Sequence, residues 1–249
     1  MIVSDLHVPY IDNKAFNAFV SYTKDYKPHE LVIAGDLIDF YSLSMFDKNP
    51  DRKEDVQMEI IEANKYLDRI AKVIPKGCKV TYLEGNHETR LQKFLWKNKE
   101  LHSLKCLRLD QMLELKKRGI NFVGASHDYW KNDNGHYKIA DMLIMHGDNR
   151  LNGASCSKYS GYSANNTMRT MYTSVAHGHG HRLALINQTT PEKQLVGMET
   201  GCLCDMTGTA NWQQGFATFE TYRGKSINHR IHKINNGVLM EDGKKYIGR

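Results

Sequence analysis

Three short apolar runs, Ile2-Val3, Leu31–Ala34 and Val80–Leu83, each stop at a polar cluster rich in aspartate, asparagine, histidine and glycine. Between them lie two longer amphipathic stretches, Asn13–Tyr26 and Glu54–Ile74. In the second, Ile60, Ile61, Asn64, Leu67, Ile70, Ala71 and Ile74 make a mostly apolar face at helical spacing, and Pro75 with Gly77 stop it. Alternation of short buried strands with helices predicts parallel strands joined by right-handed crossovers. Parallel strands end on the same side of their sheet. The polar clusters are therefore expected to converge in space, though they are far apart in sequence.

The second half has a different pattern. Asn121–Gly124, Asp128–Lys131, Tyr137–Ala140, Met142–Met145, Ser174–Ala176, Leu183–Asn187 and Gly215–Tyr222 read as strands, and Ser157–Tyr172 as a helix. Asp133-Asn134-Gly135, Asn235-Asn236-Gly237 and Asp242-Gly243 are turn signals. The expected architecture is an α/β fold, a four-layer α/β/β/α sandwich of two packed mixed sheets with flanking helices. Its polar site lies at the C-terminal strand edge. The 249 residues suit a single domain over 1–249, because no stretch rich in Pro, Gly or Ser divides them.

Five clusters carry metal-ligand side chains: Asp5-x-His7, Gly35-Asp36-x-x-Asp39, Gly85-Asn86-His87-Glu88, the lone His146, and Gly178-His179-Gly180-His181. Singly, each has an ordinary reading as a cap, a turn or a core histidine. Jointly, the mixture of carboxylate, amide and imidazole donors is what two adjacent divalent metals require. Such a mixture suits Mn, Fe or Zn better than Ca, which prefers oxygen alone.

These motifs, in this order from Asp5 to His181, resemble those of the calcineurin-like metallophosphoesterase superfamily. The resemblance implies that Asp5, His7 and His181 hold one metal and that Asn86, His146 and His179 hold the other. Asp36 would bridge them. His87 would stay off the metals and serve the substrate as a proton donor, and Asp39 would hydrogen-bond His87 to fix its tautomer. Arg90, just past G-N-H-E, and Arg150, close behind His146, are candidate substrate contacts. The serine/threonine protein phosphatases of the superfamily carry arginines where this chain has Phe40 and Glu84, which points away from that branch. Asn211–Phe216 is similar to phage- and prophage-borne members.

The implied activity is hydrolysis of phosphate esters, with a phosphodiester, DNA or RNA included, ahead of a monoester. A phosphomonoesterase acting on a small nucleotide or a protein is the alternative, and a non-catalytic scaffold is a weaker one because both His87 and Asp36 are present. The net charge of +6 permits a polyanionic partner without demanding one. Five cysteines show no framework spacing, which fits reduced thiols in a cytoplasmic protein, and Cys202-x-Cys204 reads as packing. No apolar stretch approaches the roughly 20 residues that span a bilayer, and the N-terminus lacks a signal-peptide pattern.

Overall fold

The computed structural model of the chain describes residues 1–49, 51–53, 55–124, 135–149, 153–209 and 211–248. Its first sheet is nucleated by the three apolar runs. β1 (Ile2–Val3), β2 (Glu30–Ile33), β3 (Lys79–Leu83) and β4 (Ile120–Val123) run parallel in that order. The second sheet contains β5 (Tyr137–Ile139), β6 (Met142–Met145), β7 (Ser174–His177), β8 (Leu183–Thr189) and β9 (Gln194–Thr200) in the order β5-β6-β7-β9-β8. The central β6, β7 and β9 are parallel, with antiparallel strands at both edges. The chain then returns to the first sheet. β10 (Gln214–Tyr222) pairs antiparallel with β1, and β11 (Lys225–Ile234) pairs with β10. A last hairpin joins β12 (Val238–Glu241) to β13 (Lys244–Ile247) through Asp242-Gly243. Both turn residues have positive φ, +47° and +77°, as a tight type I′ turn requires.

Six helices are described: α1 (Asn13–Tyr26), α2 (Val56–Ala71), α3 (Glu88–Lys97), α4 (Lys99–His102), α5 (Leu109–Met112) and α6 (Tyr162–Met171). Asp12 caps α1 by accepting from the amides of Lys14 and Ala15, and Asp55 caps α2 through Met58. The α2 cap therefore sits inside the stretch expected to be helical, and α6 is shorter than Ser157–Tyr172 because Gly161 begins it.

The alternation of strand side chains makes the four layers. Val3, Leu31, Ile33 and Tyr82 face outward and pack with Phe16 and Phe19 of α1 and Leu67 and Ile70 of α2. Ile2, Val32 and Leu83 face inward against Met142, Ile144, Ala176 and Met198 of the second sheet. On the far side Met145, Val175 and Leu195 cover Ala164 and Met168 of α6. The inter-sheet layer is mainly aliphatic, and full burial of each such side chain contributes about 1.5–3 kcal/mol. The expected segment Asp128–Lys131 lies outside the described residues. β9, β11, β12 and β13 were not expected as strands. No described helix is long and apolar enough to cross a membrane.

Candidate metal centre

The loops after β1 and β2 stay side by side beyond the strands. Asp5 N–H donates to Gly35 O (3.1 Å), His7 N–H to Asp36 O (2.9 Å) and Val8 N–H to Leu37 O (2.9 Å). In the second sheet Gly178 N–H donates to His146 O (2.9 Å), so the ends of β6 and β7 are joined in the same way. Glycines let these loops touch. A Cβ on Gly85 would sit 2.2 Å from Asp36 Oδ1, and one on Gly178 would sit 2.2 Å from Asp5 Oδ2. The backbone is wound tightly here. Asp5, His7, Asp36, His179 and His181 all have φ between +48° and +60°, a left-handed region that costs non-glycine residues stability.

The side chains named in the sequence meet at this edge. His7 Nε2 lies 3.1 Å from His181 Nε2, and Asp5 Oδ1 lies 3.2 Å from His181 Nε2 and 3.8 Å from His7 Nε2. Asn86 Oδ1 lies 2.8 Å from both His146 Nε2 and His179 Nδ1. Asp36 Oδ2 stands 3.3 Å from His146 Nε2 and 3.7 Å from His7 Nε2. Asp5, His7, Asp36, His146 and His181 are buried.

This donor set fits cations. The His146 Nδ1–H donates to the Ala34 carbonyl at 2.9 Å, which turns its Nε2 lone pair toward the oxygens of Asn86 and Asp36. Lone pairs facing lone pairs need a positive charge between them. Asp5 Oδ1 is buried with no hydrogen-bond partner and points at the His7–His181 pair. Protonation of His146 and His7 supplies the charge in the metal-free chain. Burial pushes His146 down, but Asp36 and Asp5 outweigh it and raise the ring to about 10. Burial likewise works against His7, and Asp39, Asp5 and Asp36 lift it well above the ordinary imidazole range. Burial would raise Asp36, yet His146, His87 and His7 hold it well below the usual carboxylate range. Each shift marks a place where the fold favours positive charge.

His87 sits beside this cluster, its Nε2 3.8 Å from Asp36 Oδ2. The expected Asp39–His87 contact takes a different form. His87 Nδ1–H donates to the backbone carbonyl of Asp39 (2.9 Å), whereas the Asp39 carboxylate lies nearer His7 Nδ1 (3.1 Å) than His87 Nδ1 (3.4 Å). The carboxylate is shared because the two rings pack edge-to-face beside it, their centroids 4.4 Å apart. Arg90 donates to Asp39 O (2.8 Å) and lies 3.1 Å from His87 Nε2. Arg150 lies outside the described residues. Phe40 and Glu84 are buried.

Two glutamates carry tasks that sequence reading left unassigned. Glu88, buried at the start of α3, accepts from Gly85 N (2.8 Å), Asp36 N (2.9 Å), Ile38 N (3.1 Å) and Tyr82 OH (2.6 Å). It ties the loop after β2 to the loop after β3. Its position within G-N-H-E was the available signal. Glu59 of α2 accepts from Phe40 N (2.5 Å), behind the same loop. Burial, with Asp39 nearby, pushes its carboxyl up to about 7. Next to His179 opens a cavity of about 350 Å³, lined by Ser157, Lys158, Arg182 and Trp212 among others.

The chain is 28% identical to the Gene 54 protein of Mycobacterium phage L5 over 98% of this chain and 96% of the relative. It is 26% identical to the Gene 54 protein of Mycobacterium phage D29 over the same shares. These phage relatives fit the phage-borne branch expected from the sequence. A metallophosphoesterase from Sphaerobacter thermophilus superposes with a TM-score of 0.47 at 12% identity, covering 94% of this chain and 87% of that one. The family model for calcineurin-like phosphoesterase matches residues 1–191. The chain belongs to that family and is a metal-dependent phosphoester hydrolase.

Proposed function

We propose that the chain hydrolyses phosphodiesters with two divalent transition metals, manganese, iron or zinc, and that residues 1–249 form one domain. The observation that carries this reading is Asp36, whose single Oδ2 faces His7 Nε2 at 3.7 Å and His146 Nε2 at 3.3 Å. In this reading Asp5, His7 and His181 hold one ion, Asn86, His146 and His179 hold the other, and Asp36 joins them. Bound there, the pair supplies Lewis acidity to a phosphoryl oxygen and an acidified water. Asp39 accepts a hydrogen bond from His7 Nδ1–H and the Ala34 carbonyl accepts one from His146 Nδ1–H, which keeps each Nε2 aimed inward.

His87 delivers the proton that the leaving oxygen needs. Its Nδ1–H is anchored on the Asp39 carbonyl, and its Nε2 faces the cleft beside Arg90. Arg90 donates to Nε2 in this geometry, so a substrate phosphate that draws the guanidinium away leaves Nε2 free to take a proton from solvent and pass it to the leaving oxygen. A diester is favoured over a monoester because buried Phe40 and Glu84 offer no guanidinium for a dianion. The cavity by Lys158 and Arg182 gives room for a second, anionic substituent. The pairing of β10 with β1 supports one domain, since it ties the C-terminal third to the first strand.

The test is the manganese-loaded protein with bis-nitrophenyl and mono-nitrophenyl phosphate, and with single- and double-stranded DNA and RNA across a salt series. The diester should have the higher kcat/KM, and any nucleic-acid binding should weaken steeply with salt. A monoester preference without salt-dependent binding would replace this reading with a phosphomonoesterase. Asp36→Asn should strip most of one metal equivalent and abolish turnover. Full occupancy in that variant would overturn the bridging assignment.

A further inference from the structure

His181 has a second face. Its Nε2 points at Asp5 and His7, while its Nδ1 lies 3.8 Å from Cys204 Sγ on the opposite side of the ring. One imidazole nitrogen of His181 and the sulfurs of Cys202 and Cys204 lie within 4.8 Å of one another. Both thiols are free and buried. Backbone bridges hold them in place, Cys202 to Gln214 and Cys204 to Ile11. The extended spacing therefore presents both sulfurs toward one ring.

The distances suit a metal ion. Sulfur binds zinc at about 2.3 Å and imidazole nitrogen at about 2.0–2.1 Å, so a tetrahedral angle sets the nitrogen and sulfur about 3.6 Å apart. The observed separation of 3.8 Å is close to that. Two sulfurs and one nitrogen, with no carboxylate among them, select soft ions over the hard ones that suit Asp5 and Asp36.

We propose that His181, Cys202 and Cys204 form a site for one thiophilic d¹⁰ ion, Zn²⁺ or Cu⁺, back to back with the centre described above and joined to it through the His181 ring. Uptake releases the two thiol protons to solvent. Where Nε2 already carries a metal, the Nδ1 proton leaves as well and the ring becomes a bridging imidazolate. The thiol site depends on the dinuclear reading only for that bridge.

Cadmium is the probe. Manganese-loaded protein, kept reduced with a phosphine, is titrated with Cd²⁺ when folded, and Cd²⁺ is also supplied during refolding because both sulfurs are buried. The expected result is one equivalent bound, a thiolate-to-cadmium ultraviolet band, and manganese retained by elemental analysis. C202S/C204S should lose the band. C78S/C106S/C156S, altered only at positions that are not buried, should keep it. Absence of the band in the unaltered protein, its persistence in C202S/C204S, or its loss in the triple variant would overturn the proposal. The band without any manganese uptake would leave this site standing and remove the dinuclear reading instead.

Discussion

Glu88 and Glu199 are both buried carboxylates that accept backbone amides, one on each side of the cleft. Glu88 gathers Gly85, Asp36 and Ile38 from two loops that carry candidate ligands. Glu199, on β9, accepts from Gly161 and Ala164, both at 2.9 Å, and so holds the N-terminus of α6. The same chemistry thus organises a reactive loop pair in one sheet and a covering helix in the other. On the first-sheet side, ligand placement depends on a carboxylate at the centre of a hydrogen-bond web. On the second-sheet side, His146 and His179 are placed by strand ends and by the close approach at Gly178.

The sharpest separation between the sides comes from His87, a first-sheet residue proposed to act on the substrate rather than on a metal. His87→Asn should keep metal content and lower turnover by roughly 10²–10⁴-fold. The loss should shrink for nitrophenolate leaving groups, which need no proton. Equal losses with good and poor leaving groups would remove the proton-donor role.

The contrast itself is tested by the two glutamates. An amide at position 88 has one acceptor oxygen for four donors, and its NH₂ would face backbone N–H groups. Glu88→Gln should cost about 3 kcal/mol, a fall in Tm on the order of 6–12 °C, and should lose bound metal at concentrations that fill the unaltered protein. Glu199→Gln should cost about 1–2 kcal/mol and keep its metal, as elemental analysis and calorimetry would read. Metal loss of equal size in both variants would break the comparison.

The smallest expected effect is a pH dependence. The Glu59 carboxyl lies at about 7 in the fold against an ordinary value of 4.5. Its stabilising contribution is complete below about 4.5 and is lost as pH rises through about 7. In metal-free protein, the Tm of Glu59→Gln minus that of the unaltered chain should become more positive between about pH 5 and pH 8. A flat difference would mean that Glu59 stays ionised across that range.

What was legible in the sequence was local or repeated. Asn13–Tyr26 could be read to the residue because its cap and its period agree. The ligand clusters could be placed because each follows an apolar strand, so parallel topology brings them together. Glu88 was quoted within its motif yet given no task. Its partners come from two loops, and no spacing encodes an acceptor of long-range amides. The division of the Asp39 carboxylate between His7 and His87 is a matter of 3.1 against 3.4 Å, finer than any sequence pattern. β11 was missed because its exposed positions carry Lys225, Asn228, Arg230 and Lys233, which blur the alternation. The hairpin at its end was foreshadowed only by the turn signals Asn235-Asn236-Gly237 and Asp242-Gly243.

The left-handed backbone at Asp5, His7, Asp36, His179 and His181 has a consequence for descent. Each such residue costs roughly 1–3 kcal/mol relative to a conformation it prefers. Glycine there would relieve strain and remove a donor in the same step. A lineage released from selection for turnover therefore gains thermal robustness at the very codons proposed to carry the chemistry. Inactive descendants of this chain should be hardier than active ones, and directed evolution scored on heat resistance alone should erase the reactive cluster early.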